Sequence, residues 1–170
     1  MAQVLNSLDE VPLFQLFEAA ERSRIAERFS RVAFKPDSVI VAEHERETGL
    51  YVLLSGKVKV TKQLDGRQVP LAVLQAREVF GEMSLIDGRP SSATIAAVGP
   101  AEVLHLSPEG FRSLLANDPR IAAIFWQGMA KLLSERVRRT NERIHEFVEF
   151  NKAICQNETF RDFYVLCQFG

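Results

Sequence analysis

Between Val79 and Thr94 the chain reads VFGEMSLIDGRPSSAT, and its residue types in that order suit the holding of an anion. Gly81 permits backbone angles and a closeness of approach that a side chain would block. A helical turn starting at Glu82 leaves the first amides, those of Glu82, Met83 and Ser84, without intrahelical acceptors. Amides at the positive end of aligned peptide dipoles form a ready site for a phosphate. Asp87, Gly88 and Pro90 then turn the chain, and Ser91, Ser92 and Thr94 lead into an alternating strand. Arg89 is the one cation inside the stretch. An amide cradle, a carboxylate, a turn and hydroxyls amount to recognition chemistry.

Catalysis has no comparable support. No Ser-His-Asp, Cys-His or metal constellation assembles from these residues, so an enzyme is not expected. The three histidines, His44, His105 and His145, lie far apart and share no short metal-ligand spacing. His105 alternates with Leu104 and Leu106, which places it on the outward side of a strand. The two cysteines, Cys155 and Cys167, read as small packed thiols. An iron-sulfur cluster takes four. No heme ligand stands out, and no metal or cofactor is expected.

At 170 residues the chain fits one domain, or one domain with an appendage, and a domain of that length buries about 70% of its unfolded surface. A formal net charge of -1 creates no field for nucleic acid, and a mean hydropathy of -0.04 without a long apolar run argues against a membrane span. The start MAQVLNSLDEVPLF lacks the basic and apolar regions of a signal peptide, so a cytoplasmic protein is expected.

The elements that must position the anion site follow from periodicity. From Leu8 to Phe29, Val11, Phe14, Phe17, Ile25 and Phe29 recur at helical intervals, predicting one or two covering helices over 8–30, with Asp9 as a cap and Pro12 in a first turn. Over 31–107 the pattern becomes β-rich. Strands are predicted at Arg31 to Phe34, Val39 to Val41, Leu50 to Leu54, Lys57 to Thr61, Leu71 to Leu74, Ser92 to Ala97 and Ala101 to Leu106. Turns fall at Lys35-Pro36-Asp37, Ser55-Gly56, Asp65-Gly66 and Gly99-Pro100, the rhythm of a sandwich, barrel or jelly roll. Ser107 caps a helix opened by Pro108 that stops near Asn117. Asp118-Pro119 opens a much longer one, running to about Phe150.

The stretch from Val79 to Thr94 resembles the phosphate-binding cassette of cyclic-nucleotide-binding domains, the sensors of catabolite-activator-like regulators and of cyclic-nucleotide-gated kinases and channels. GLYVLLSGKVKV, Gly49 to Val60, is similar to the central hairpin of the same family, and the resemblance runs from about Val11 to Asn151. It implies a mainly β domain with flanking helices over 8–150, a double-stranded β-helix or jelly roll over 31–107 within it, and a long C-terminal helix that dimerises. It also implies that Gly81 and its neighbouring amides hold the cyclic phosphate and that Glu82 binds the ribose 2'-hydroxyl. In the family an Arg-Ser or Arg-Thr pair grips the phosphate; Ser91-Ser92 stand there in this sequence. Three arrangements are open: Arg89 reaches in, an arginine such as Arg136 or Arg143 arrives from elsewhere, or the pocket holds no cyclic mononucleotide. Thr140 and Asn141 match the polar residues with which the family's long helix meets the base.

That helix also carries a heptad. Ala123, Ala130, Val137, Ile144 and Asn151 fall in one column and Trp126, Leu133, Thr140, Phe147 and Ile154 in the other, predicting a homodimer seam over 123–154. The family's DNA-binding members continue into a winged helix of about sixty to seventy residues. Here Lys152 to Gly170 follow, so the extension 151–170, ending in the apolar FRDFYVLCQFG, is expected to dock on protein and not on DNA. The function expected is a sensor module that binds cyclic AMP or cyclic GMP, with cyclic di-GMP as a variant, and signals to a partner protein. The alternative is a dimeric adaptor whose pocket is degenerate.

Overall fold

The computed structural model describes residues 2–156. The aromatic end of the expected C-terminal extension, with Cys167, lies outside the described residues, as do the side chains of Ile154 and Cys155. The helical cover begins earlier than its periodicity suggests. It consists of α1 (Ala2–Asp9), a 3-10 turn (Phe14–Leu16) and α2 (Ala19–Ala26). Pro12 lacks an amide and disfavours helical angles in the residue before it, so α1 stops at Asp9, which is a last residue and not a cap. Two tight turns, Val11 N to Leu8 O at 3.0 Å and Phe14 N to Val11 O at 2.9 Å, bridge the gap. Glu18 and Glu21 form a reciprocal capping box that starts α2.

Eight antiparallel strands make two four-stranded sheets. The strands are β1 (Ser30–Phe34), β2 (Val39–Val41), β3 (Leu50–Ser55), β4 (Lys57–Leu64), β5 (Arg67–Gln75), β6 (Val79–Phe80), β7 (Thr94–Ala97) and β8 (Ala101–Leu106). One sheet has the order β1-β8-β3-β6 and the other β2-β7-β4-β5. All seven expected strands are present, and β6, two residues long, is an addition that periodicity could not register. The β4-β5 hairpin is longer than expected. Asp65 and Gly66 both take positive φ, 48° and 76°, which is the twist of a two-residue primed turn, so pairing closes at Leu64 with Arg67. The strand expected from Ser92 starts at Thr94, because the segment before it is drawn to a neighbouring loop: His44 N donates to Ser91 O at 2.8 Å and Ser91 N to Glu45 O at 2.8 Å.

Val41, Tyr51, Leu53, Val58, Phe80, Ile95, Ala97 and Val103 fill the core between the sheets. Two helices follow β8. In α4 (Pro108–Asn117) Ser107 Oγ accepts the Gly110 amide at 3.0 Å, as its sequence predicts. The long helix α5 (Pro119–Gln156) has 38 residues, extending the expected end at Phe150. Asp118 caps it, accepting the amides of Arg120 and Ile121 at 3.1 Å each. The amide of Ile121, with further help from Arg24, holds the Asp118 carboxyl below its ordinary range. The described residues group into two compact units that divide α5, one through Met129 and one from Ala130.

Within the first unit, Ile121, Phe125 and Met129 put one apolar face of α5 into the core. Phe125 is fully buried, its ring 6.2 Å from Phe14, 6.0 Å from Phe17 and 5.2 Å from Phe111. Gly128 lies one turn on, where a Cβ would stand 2.4 Å from Leu13 Cδ1. Charge ties the same elements at the surface, with Arg120 paired to Glu18 and Glu21 and Arg24 to Asp118. Truncating Phe125 to Ala is expected to cost about 3 to 5 kcal/mol of stability, read as a lowered midpoint in urea unfolding. A shift under about 1 kcal/mol would mean that this aromatic cluster does not anchor α5.

Candidate functional site

The stretch expected to hold an anion folds as a left-handed glycine, one and a half turns of helix, a loop and an extended arm. The helix is α3 (Glu82–Asp87), with Gly81 before it at φ 81° and Gly88 after it at φ 68°, so both ends need backbone angles that glycine adopts freely. Gly81 is fixed by space as well. A Cβ there would lie 2.4 Å from the carbonyl oxygen of Gly49 and 3.0 Å from the Tyr51 ring. Gly49, at φ 87°, is held in turn, since its own Cβ would lie 2.5 Å from Leu106 O and 2.6 Å from His105 Nε2. Two glycines thus let the start of β3 press against the start of α3.

Hydroxyls lock the contact. Ser84 Oγ donates to Gly81 O at 3.1 Å and lies 3.0 Å from Thr48 Oγ1, and Thr48 is buried. The Thr48 carbonyl faces His105 Nε2 at 3.0 Å; a carbonyl only accepts, so Nε2 carries the proton. The His105 ring stacks on Tyr51 at 4.5 Å, and Tyr51 stacks on Phe80, the residue before Gly81, at 5.0 Å. His105 is therefore half-buried in the support of the site, where the alternation in β8 suggested a surface-facing position. Alternation assigns a side of the sheet, not what covers that side. Burial, with the Glu45 carboxylate nearby, pushes the Tyr51 phenol up to about 12.

Glu82 opens α3 and is 2% exposed. A carboxylate so placed is favoured by the dipoles of the first turn, and it is not without a partner. Met83, on the next position, is half exposed, with its Sδ 4.0 Å from Ser92 Oγ, so α3 and the arm fold on each other. Ser91 is buried and Ser92 exposed. Arg89 turns outward: its side chain is 83% exposed, its amide bonds Asp87 Oδ1 at 2.9 Å, and its Nε lies 3.9 Å from Asp87 Oδ2. Thr140 and Asn141 are exposed residues of the second unit, where Thr140 Oγ1 donates to Arg136 O at 2.9 Å. Arg136 and Arg143 belong to that unit too, and neither is without a partner.

Sequence reasoning passed over Lys62 and Glu43. Lys62 Nζ donates to Ser92 O at 2.9 Å and lies 3.5 Å from Glu43 Oε1. Glu43 Oε2 accepts the Gln63 amide at 2.9 Å, and that bond, then Lys62, holds its carboxyl below the ordinary range. The signal available was alternation, since Val58, Val60 and Lys62 share one face of β4 and the first two pack in the core. Among the described residues no group of three or more His, Cys, Asp and Glu could hold a metal ion, and no helix is long and apolar enough to cross a membrane.

Comparison with known proteins gives matches over the β-rich region and beyond it. The model of the cyclic nucleotide-binding domain matches residues 31–118. A CRP-like cAMP-activated global transcriptional regulator of Mycobacterium tuberculosis is 26% identical over 137 residues, 80% of this chain and 59% of that protein. The cAMP-dependent protein kinase regulatory subunit of Aspergillus niger is 32% identical over 108 residues, 64% of this chain and 26% of that one. The chain thus spans less than two thirds of either relative. Among solved structures, a cyclic nucleotide-binding domain from Methylobacillus flagellatus superposes with a TM-score of 0.76 at 28% identity, covering 85% of this chain and 82% of that one.

The Tyr51 shift has a direction in pH. A phenol that ionises near 10 unfolded and near 12 folded gives stability that is complete below pH 10 and is lost as the pH rises toward 12. Urea unfolding at pH 8 and pH 11 is expected to show a larger loss in the wild type than in Tyr51→Phe. Equal losses would mean that Tyr51 is not held in this buried stack.

Proposed function

The chain belongs to the cyclic nucleotide-binding domain family, and from that membership we propose a non-enzymatic sensor module that takes a cyclic nucleotide at the cassette Gly81 to Ser92 and signals to a partner protein through its long helix. The observation that carries the reading is the buried Glu82 beside a left-handed Gly81 whose Cβ position is filled by the Gly49 carbonyl. That arrangement fixes a carboxylate and the α3 amides at one place, as recognition of a phosphorylated ribose requires. Cyclic AMP is the proposed ligand, supported by the cAMP in the names of both relatives.

Signalling is proposed to run through a homodimer. Val137, Ile144 and Phe147 are 58%, 56% and 67% exposed and share the heptad columns of the second unit. An apolar stripe of that kind on an exposed helix supports a seam between two copies. A ligand biases such a helix only by binding one of its arrangements better than another. One observation favours the second reading, an adaptor with a structural pocket: Ser91 and Ser92 bring no charge to the arm, and Arg89 faces solvent.

Isothermal titration calorimetry separates the readings. Cyclic AMP is expected to bind with micromolar or tighter affinity, and Glu82→Gln, which keeps the shape and removes the charge, to weaken it roughly 10-fold or more. Absence of heat with cyclic AMP, cyclic GMP and cyclic di-GMP, together with no thermal shift, would leave the adaptor. For the seam, light scattering should give twice the chain mass for the wild type and the chain mass for Ile144→Glu with Phe147→Glu; a wild-type monomer would exclude it.

A further inference from the structure

The arm that carries Ser91 and Ser92 has neighbours on both sides. On one side run Glu43 to Glu45, bonded to it through His44 N to Ser91 O, Ser91 N to Glu45 O and Glu43 N to Thr94 Oγ1 at 3.1 Å. On the other side β4 pairs with β7, Thr61 opposite Thr94, and Lys62 is the next residue along. Its side chain follows Val58 and Val60 on the face that bears the core, and it ends in an ammonium on the Ser92 carbonyl. Arg89 lies closer in sequence, yet its guanidinium is turned to Asp87 and to water.

A phosphodiester is an anion, and two hydroxyls do not neutralise it. An ammonium has three donors. The Ser92 carbonyl takes one of them, and the Glu43 carboxylate, at 3.5 Å, holds the charge at longer range. Lys62 keeps 38% of its side chain exposed, and Glu43 keeps 10%. Glu43 is itself fixed by the Gln63 amide, with His44 Nε2 3.8 Å from its Oε1, so the carboxylate stays while the flexible ammonium can turn.

We propose that Lys62 is the cation of this pocket, contacting the phosphate of a cyclic nucleotide seated at Ser91 and Ser92, with Glu43 as the carboxylate that holds Lys62 beside the arm and competes with the phosphate for it. The assignment rests on the nucleotide-sensing reading above. It places the ligand's charge partner on β4, outside the stretch that carries the rest of the cassette. It also makes the Lys62 and Glu43 pair a brake on affinity, because the phosphate must draw the ammonium away from a carboxylate.

The test compares cyclic AMP with adenosine, which has the same base and ribose and no charge, by titration calorimetry on the wild type, Lys62→Met, Lys62→Arg, Glu43→Gln and Arg89→Met. Lys62→Met is expected to weaken cyclic AMP roughly 10- to 150-fold, to leave adenosine within about twofold, and to flatten the salt dependence of cyclic AMP binding. Lys62→Arg should restore most of the affinity, and Glu43→Gln should tighten cyclic AMP about threefold. Arg89→Met should change little. Unfolding midpoints of the variants separate a lost contact from a lost fold. If the wild type binds cyclic AMP while Lys62→Met binds it equally well, or loses adenosine by the same factor, the Lys62 assignment is wrong and the sensing reading stands. If the wild type binds no cyclic nucleotide at all, the sensing reading fails and takes this assignment with it.

Discussion

The whole cassette depends on one close approach, the carbonyl oxygen of Gly49 standing where a side chain on Gly81 would begin. A carbonyl can occupy that place only if residue 81 has no Cβ, and the φ of 81° makes the same demand through the backbone. Gly49 meets a parallel condition against Leu106 and His105 in β8. The start of α3 is thereby keyed to β3 and β3 to β8, so the position of the Glu82 carboxylate is set by the middle of a sheet. A site placed by rigid strands keeps its geometry far better than one carried by a loop alone.

Around that contact the polar groups are joined in sequence: Gly81 O, Ser84 Oγ, Thr48 Oγ1, and the Thr48 carbonyl that accepts from His105. The stacked rings of His105, Tyr51 and Phe80 cover the same network from the core side. Buried polar groups stabilise a structure when each has a partner, and here the partners are the elements that must not move. The outer rim is held differently, by the Lys62 and Glu43 ion pair against the arm, where one long side chain is half exposed. Support is stiff under the carboxylate and adjustable beside the hydroxyls.

The long helix has two characters. Up to Met129 it is a core element, its face of Ile121, Phe125 and Met129 buried among the phenylalanines of the helical cover. From Ala130 it presents Val137, Ile144, Phe147 and Phe150 to solvent. One heptad-like pattern runs through both parts, because helical periodicity records that a face is apolar and carries no information about what covers it.

The β-rich middle, the turn at Asp65-Gly66, the Ser107 and Asp118 caps and the cassette helix could all be read from the chain, since each is fixed by local rules of backbone angle, capping or alternation. The left-handed Gly81 and the helix that starts at Glu82 were legible because a glycine followed by a helical turn is written within a few consecutive residues. The break at Pro12 is also a local matter, and reading it as a first-turn proline misjudged the direction of the helix it ends. What no local rule could supply was decided by strand register and packing: that Gly49 is the partner of Gly81, that His105 turns to Thr48 and Tyr51, and that Lys62 comes to rest on Ser92, thirty residues away in the chain. Those contacts join β3 to α3, β8 to the loop before β3, and β4 to the arm. Sequence alone determined which residues could form a strand, a turn or an anion cradle; tertiary structure decided which of them meet, because pairing between distant strands depends on the register of the entire sheet.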